Sequence, residues 1–265
     1  MVTPPQPGLG TQAITCWKTS FLSFRALFNW LAPRQFILAM VATPIMELIF
    51  FAFLGANLGV EDTRFFLLGG AMLAACTPSI AGGVMALTSE RHFGTFEHLL
   101  VSRRSRSYLL LMRAIPYSFM GVLASLLTLA AGMVALRVPL SPQDIASFVV
   151  LLFFGCLSSA FFGMALGVLG LVASNVFLLM NVAISTISIG AALVVPLKVL
   201  PPWLHFASHV LPVRHVAEAV RQMGTPDFMS TALSSVGAEL LVTVGWALVM
   251  LASFRGLESK MRREG

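Results

Sequence analysis

The stretch Ser89-Glu90-Arg91-His92-Phe93-Gly94-Thr95-Phe96-Glu97-His98-Leu99-Leu100, continuing through Ser102-Arg103-Arg104-Ser105-Arg106, is the longest charged interruption between long apolar runs, and it mixes both signs of charge. Residues 65–87 precede it and residues 115–136 follow it, both almost wholly apolar. Each run is close to the ~20 residues that a helix needs to cross a ~30 Å hydrocarbon layer. The stretch is therefore a polar loop joining two membrane-crossing helices, and the fold class is an all-α membrane protein.

The composition agrees with several crossings. Of 265 residues, 57% are hydrophobic and only 11% charged, with a mean hydropathy of +0.88; a soluble domain carries about a quarter charged residues. The net charge of +6 need not mean nucleic acid, because basic residues collect on the cytoplasmic side of membrane proteins and set their orientation. No aromatic-plus-basic motif of a nucleic-acid binder appears, and no such partner is expected. Cys16, Cys76 and Cys156 are odd in number, and the last two fall inside apolar runs, so no disulfide framework is implied. The first apolar run begins only near Phe36, and no small-residue cleavage site follows a short apolar core. A removable signal peptide is not expected.

Working outward, residues 1–10 hold Pro4, Pro5, Pro7, Gly8 and Gly10 and read as a flexible tail. Ile14, Trp17, Phe21, Phe24, Phe28 and Leu31 then recur at helical spacing, with Lys18, Arg25 and Asn29 on another face. Residues 1–35 are thus a tail plus an amphipathic interfacial helix, ended by Pro33-Arg34. That helix is either an anchor or a mechanical element beside the membrane domain. Six crossings are predicted at about 36–58, 65–87, 115–136, 145–172, 176–196 and 233–254, which make residues 36–254 one six-helix membrane domain. The fourth is long enough to tilt. A charged tail, 255–265, follows.

Counting basic residues orients the chain. With the amino terminus inside, Lys18, Arg25, Arg34, Arg91, Arg103, Arg104, Arg106, Arg113, Arg255, Lys260, Arg262 and Arg263 fall on the inner side. Arg64, Arg137, Lys198, Arg214 and Arg221 fall outside. This bias puts both termini, and the charged loop 88–114, in the cytoplasm.

The outer segment 200–224 is not an ordinary loop. Pro201-Pro202 open it, and Trp203, Phe206, Ala207 and Val210 are spaced for one short helix, broken at Leu211-Pro212. Val213, Val216, Ala217 and Val220 line one face of a second helix, with Arg214, Glu218 and Arg221 on the other. Both are too short to cross, which predicts two re-entrant or interfacial helices before the last crossing.

Familiar chemistry is mostly absent. A phosphate-cradling loop needs Gly-x-x-x-x-Gly-Lys-Ser/Thr, and the only Lys followed by Ser or Thr is Lys18-Thr19, with Trp17 where Gly is required. No nucleophile elbow is present and no histidine lies in a predicted crossing, so no catalytic residue is assigned. His205 and His209, with His215 near, can be read as an outer zinc site or as interfacial histidines; without a neighbouring Cys or carboxylate, no metal is assigned. Glu47 and Glu239 are the acidic residues well inside crossings, and intramembrane ionisable groups are candidate functional residues. Glu239 can pair with Arg214 or Arg221, and Glu47 can face a cavity or the same outer region. Asn181, Ser185 and Thr186 form a polar stripe, and Gly163-x-x-x-Gly167 is a helix-packing motif of low specificity.

The charged loop has its own physics. Gly94 can end the second crossing helix, since Gly readily adopts positive φ. Thr95 can cap a new short helix with Glu97 in its first turn. Phe96, Leu99 and Leu100 then offer an apolar face, while Glu90, Arg91, Glu97 and Arg103 offer charge. Such a helix suits a groove in a partner protein; the alternative is a solvated loop that only satisfies the inner positive bias.

Glu90-Arg91-x-x-Gly94-Thr95-x-Glu97-x-Leu99-Leu100 closely resembles the cytoplasmic signature of ABC-2 type permeases, the membrane subunits of ABC exporters. Leu200-Pro201-Pro202-Trp203-Leu204, then Leu211-Pro212 and Glu218-Ala219-Val220-Arg221, resembles that family's segment before its last crossing. The likeness covers nearly the whole chain, with one departure: Ser102-Arg103 stands where the family commonly has Ser-Pro. The resemblance implies a coupling helix between the second and third crossings that docks on a cytoplasmic ATPase through Glu90, Arg91, Gly94, Thr95, Glu97 and Leu100. It implies two ATPase subunits holding ATP and Mg, with no cofactor on this chain, and a second permease subunit, identical or homologous, in a lipid bilayer. The cavity it implies lies between the permease subunits, with Thr77, Phe177, Met180 and Asn181 as candidate lining residues. An apolar wall rich in Met and Phe suits a hydrophobic or amphipathic cargo, a drug or antibiotic first, and a lipid, glycolipid or polysaccharide precursor second. The expected location is the bacterial plasma membrane. The competing class is a non-transport membrane scaffold.

Overall fold

The computed structural model describes residues 42–59, 62–92, 106–171, 173 and 175–264. Every regular element among them is helical: α1 Thr43–Leu58, α2 Thr63–His92, α3 Arg106–Leu136, α4 Pro142–Gly170, α5 Val176–Gly190, α6 Pro202–Ser208, α7 Arg214–Arg221 and α8 Phe228–Glu264, with a 3-10 turn at Leu197–Val199 between α5 and α6. The predicted amino-terminal interfacial helix lies outside the described residues.

Among the described residues, four helices are long and apolar enough to cross a membrane: Thr63–Thr88 of α2, Leu110–Leu136 of α3, Pro142–Gly170 of α4 and Phe228–Leu257 of α8. α1 and α5 are shorter apolar helices at the first and fifth predicted crossings. The chain is therefore a multi-pass, all-helical membrane protein.

α2 and α4 form the centre. α2 packs against α1, α3, α4, α5 and α7, and α4 against α3 and α8 as well. Small residues let the two backbones meet. A Cβ at Gly167 would lie 2.9 Å from the Val84 carbonyl oxygen, and one at Gly163 would fall on the Ile80 carbonyl, so neither position accepts a side chain without moving α2. Gly163-x-x-x-Gly167 thus packs helix on helix by allowing close backbone approach. Around this crossing Leu67, Met72, Ile80, Phe148, Leu152 and Met164 are fully buried. Pro78 sits inside α2 and Pro116 inside α3 without ending either helix, as neighbouring helices permit within a bilayer.

Helix boundaries follow local chemistry. α4 starts three residues before the predicted 145 because Ser141 and Asp144 form a capping box, with Asp144 N donating to Ser141 Oγ at 3.1 Å and Pro142 in the first turn. Asn175 caps α5 by accepting from Leu178 N at 3.0 Å. α8 runs through the predicted charged tail, and its 37 residues span roughly 55 Å.

The fifth helix ends early. It was expected to reach 196, yet it stops at Gly190, and Ala192 takes a left-handed φ of 57°. Leu193 N and Val194 N both turn back to Ser188 O, at 3.2 and 3.3 Å. Pro196 cannot continue a helical ladder. The Leu193 carbonyl occupies the space a side chain at Gly69 would need, so α2 is shaped around the break.

Candidate functional site, a short-helix junction and an exposed helix face

Leu211-Pro212 ends the α6 turn, and Val213 carries a left-handed φ of 69°, a strained conformation for a β-branched residue. Val213 stands at the N-cap of α7 but has no side chain that can cap it. The orphan donors of this first turn are buried and need acceptors. Glu239, fully buried on α8, provides one: its Oε1 accepts from Val213 N at 2.8 Å. The N–H groups of His215 and Val216 face the same carboxylate, and the positive end of the α7 dipole favours the negative charge. Ser158 of α4 approaches it without closing a hydrogen bond, so Glu239 Oε2 and Ser158 Oγ stay without partners.

Glu239 therefore does not use the arginine partners that sequence reasoning offered it. Arg214 is itself buried, with Nη1 on Glu218 Oε2 at 3.1 Å and Nε on Ser208 Oγ at 3.3 Å. The guanidinium of Arg221 donates to Ala192 O at the broken end of α5 and lies 4.1 Å over the Phe65 ring. Two turns along α8 from Glu239, Trp246 donates to Val210 O at 2.9 Å and packs edge-on against Phe162 of α4, with ring centroids 4.7 Å apart. One face of α8 thus grips residues 210–213 at two points. The Trp246 contact was not anticipated, since no local pattern ties a Trp to a carbonyl 36 residues earlier.

The predicted apolar face of α7 is buried as drawn: Val213, Val216, Ala217 and Val220 all lie in the core. That of α6 is not, because Trp203, Phe206 and Val210 are 70%, 81% and 62% exposed. Around the junction, Arg64 bridges to Asp144 at 3.8 Å and donates to Met223 O at 3.3 Å.

The rings of His205, His209 and His215 adjoin in series, the first pair edge-on and the second tilted, with centroids 5.8 and 5.7 Å apart, and His215 Nε2 pairs with His209 O at 3.1 Å. Among the described residues, no three His, Cys, Asp or Glu side chains are grouped to hold a metal, which removes the geometric basis for an outer zinc site. Burial pushes the His215 ring below the ordinary histidine range; the His209 carbonyl opposes that shift, and the Arg214 charge adds to it.

The polar stripe of α5 faces outward. Asn181, Ser185 and Thr186 are exposed beside Phe177 and Val182, both 56% exposed. Thr186 Oγ1 and Ser188 Oγ donate back to Val182 O and Ser185 O, each at 2.8 Å. Met180 packs against the main core. Thr77 is half-buried on α2, and its hydroxyl donates to Leu73 O at 3.4 Å rather than to any α5 residue. Glu47 is exposed on α1. Glu90 and Arg91 fall in the last turn of α2, while Gly94, Thr95, Glu97 and Leu100 lie outside the described residues.

A model of the ABC-2 type transporter family matches residues 11–223. The chain is also 25% identical over 179 residues to the probable multidrug ABC transporter permease YbhR of Escherichia coli strain K12, and equally to that of strain O157:H7. The match covers 65% of this chain and 48% of each relative, so the chain spans about half the length of the curated relatives it matches. With the family match extending over most of its length, the chain belongs to the ABC-2 type transporter family.

Proposed function

We propose that this chain is the membrane subunit of an ATP-driven exporter, with cytoplasmic ATPase subunits engaging the loop at Glu90, Arg91, Gly94, Thr95, Glu97 and Leu100. Membership of the ABC-2 family is the observation that carries this reading. In it, α1 and α5 complete six crossings, and α6 and α7 are re-entrant helices at the outer end. Both termini lie inside, as the basic residues favour. Two permease subunits, identical or homologous, enclose the cargo path. The exposed polar stripe of α5 supports its place on that path, since Asn, Ser and Thr within a crossing collect where helices or polar groups meet rather than where lipid does. Phe177 and Asn181 then line the cavity, with Met180 packed behind them against the core and Thr77 contributed from α2.

The cargo is a hydrophobic or amphipathic compound, a drug or antibiotic first, in keeping with the name of its relative, a probable multidrug permease. ATP-driven closure of the ATPases would shift the loop, and the attached helices would exchange between inward- and outward-open states, as ligand-biased two-state elements do. ATP-dependent uptake of candidate compounds into inverted vesicles holding the chain and its ATPase tests this. Gly94→Pro should abolish uptake while leaving membrane insertion intact. Uptake that persists without ATP, or that ignores Gly94→Pro, would refute it.

A further inference from the structure

A carboxylate on the outside of an apolar helix needs a reason. α1 buries Leu48 and Ala52 along one face and exposes Met46, Phe50, Phe53 and Leu54 on the other. Glu47 belongs to the exposed face. Its neighbour Leu48 packs into the spaces above Gly70 of α2 and Gly132 of α3, which fixes how α1 is rotated. Glu47 is eleven residues from the end of α1 at Leu58, or roughly 16 Å along the axis. That depth lies well inside a ~30 Å hydrocarbon layer.

No described residue supplies its counter-charge. Among the described residues, Glu47 makes no ion pair or hydrogen bond through its carboxylate. Away from helix ends, the basic residues along the apolar lengths of the described helices are Arg113, whose Nη1 already donates to Ala86 O at 2.8 Å, and Arg255, beside Phe254 of the cluster that holds Leu87 and Leu110; that level of α2 is roughly 24 Å along the helix from Gly70, against which Leu48 packs. A second copy of these helices would therefore bring no cation to the level of Glu47. Phe50 is one turn away on the same face, 60% exposed, with Phe53 beyond it at 59%. A carboxylate beside exposed ring faces and a thioether combines an ion-pair partner, cation–π surfaces and an adaptable apolar wall. It does not suit an inorganic cation, which takes several oxygen ligands.

We propose that Glu47 is the charge-recognising residue for cargo, and that the cargo class is monovalent organic cations with an apolar, ring-bearing body. The proposal rests on the exporter reading for the word cargo, but the binding it asserts is measurable without ATP or an ATPase. The probes are tetraphenylphosphonium and its neutral relative triphenylphosphine oxide, equilibrated by dialysis against the purified full chain in maltoside micelles, with empty micelles subtracted.

Wild type should bind both saturably. Loss of an ion pair in an apolar site should raise the Kd of Glu47→Gln for tetraphenylphosphonium about tenfold or more and leave triphenylphosphine oxide unchanged. Glu47→Asp should restore most of the cation affinity. Phe50→Leu, which keeps the charge and tests the site should Glu47→Gln not fold, should weaken only the cation, about two- to threefold. Equal affinity of Glu47→Gln for the cation, parallel loss of both probes, or no saturable binding to wild type overturns the proposal. So does displacement of the cation by phosphatidylethanolamine, which would assign the carboxylate to a lipid amine. Cation binding with no ATP-driven transport would instead sink the exporter reading and leave the site standing.

Discussion

Replacing Glu239 with Ala should loosen the α6–α7 hairpin without disturbing the α2–α4 core. The substitution leaves the Val213 N–H buried with no acceptor, since its bond to Glu239 Oε1 is 2.8 Å long and the carboxylate is fully buried. An orphaned buried donor costs about 1–3 kcal/mol, and a lost helix cap about 0.5–2 kcal/mol. These overlap because they describe the same N–H. Removing a carboxylate whose Oε2 has no partner returns part of the cost, since an unpaired buried polar atom is itself unfavourable. The net is about 2 kcal/mol, or about thirtyfold in the local opening equilibrium. Hydrogen exchange read on peptides covering residues 210–222 should accelerate by about that factor in Glu239→Ala, with α2 and α4 unchanged. Glu239→Gln keeps a carbonyl oxygen for Val213 N–H and should stay within about fivefold of wild type. Exchange that does not change in Glu239→Ala, or a Gln variant as loose as the Ala variant, would refute the capping argument.

Three further perturbations test the packing, helix propensity and the junction. Gly163→Val drives a branched side chain into the Ile80 backbone and should cost at least about 1–3 kcal/mol, seen as a fall in the monodisperse fraction on gel filtration; Gly237→Ala, whose added Cβ meets nothing within 4 Å, should raise the thermal midpoint through about 0.5–1 kcal/mol of helix propensity. Folding lowers the affinity of His215 for a proton from its ordinary value of 6.5, mainly by burial, so the unfolded chain binds more protons just below that pH. Its contribution to stability should be full above about pH 6.5 and fall on acidification, and His215→Gln should flatten that part of the pH profile; a stability difference between wild type and His215→Gln that does not narrow from about pH 7 to about pH 5 would contradict this.

Much of the architecture was legible because hydropathy and helix stops are local. The run 65–87 became α2, and the pattern of Val213, Val216, Ala217 and Val220 named the buried face of α7. The Gly163–Gly167 spacing was visible, but its meaning needed the Ile80 and Val84 carbonyls opposite it. Long-range choices stayed hidden. Glu239 stood out as an intramembrane acid, yet a buried backbone donor 26 residues earlier that needs an acceptor leaves no mark in sequence, whereas two nearby arginines do. The early end of α5 is met by the Arg221 guanidinium on Ala192 O and by the space that Gly69 leaves for the Leu193 carbonyl, and neither Arg221 nor Gly69 lies within the apolar run 176–196. Among the cavity candidates, periodicity placed Phe177, Met180 and Asn181 on one helix, but it could not tell that Met180 turns inward while Asn181 turns outward.

The account stands or falls on the side of the membrane that residues 88–114 occupy. A single cysteine introduced as Glu97→Cys into a chain otherwise free of cysteine should react with a membrane-impermeant maleimide in inverted vesicles and be protected in intact cells. Labelling of intact cells at the rate seen for a control cysteine at Lys198, which is exposed at the opposite end of the bundle, would put the loop beyond the reach of any cytoplasmic ATPase and contradict the account.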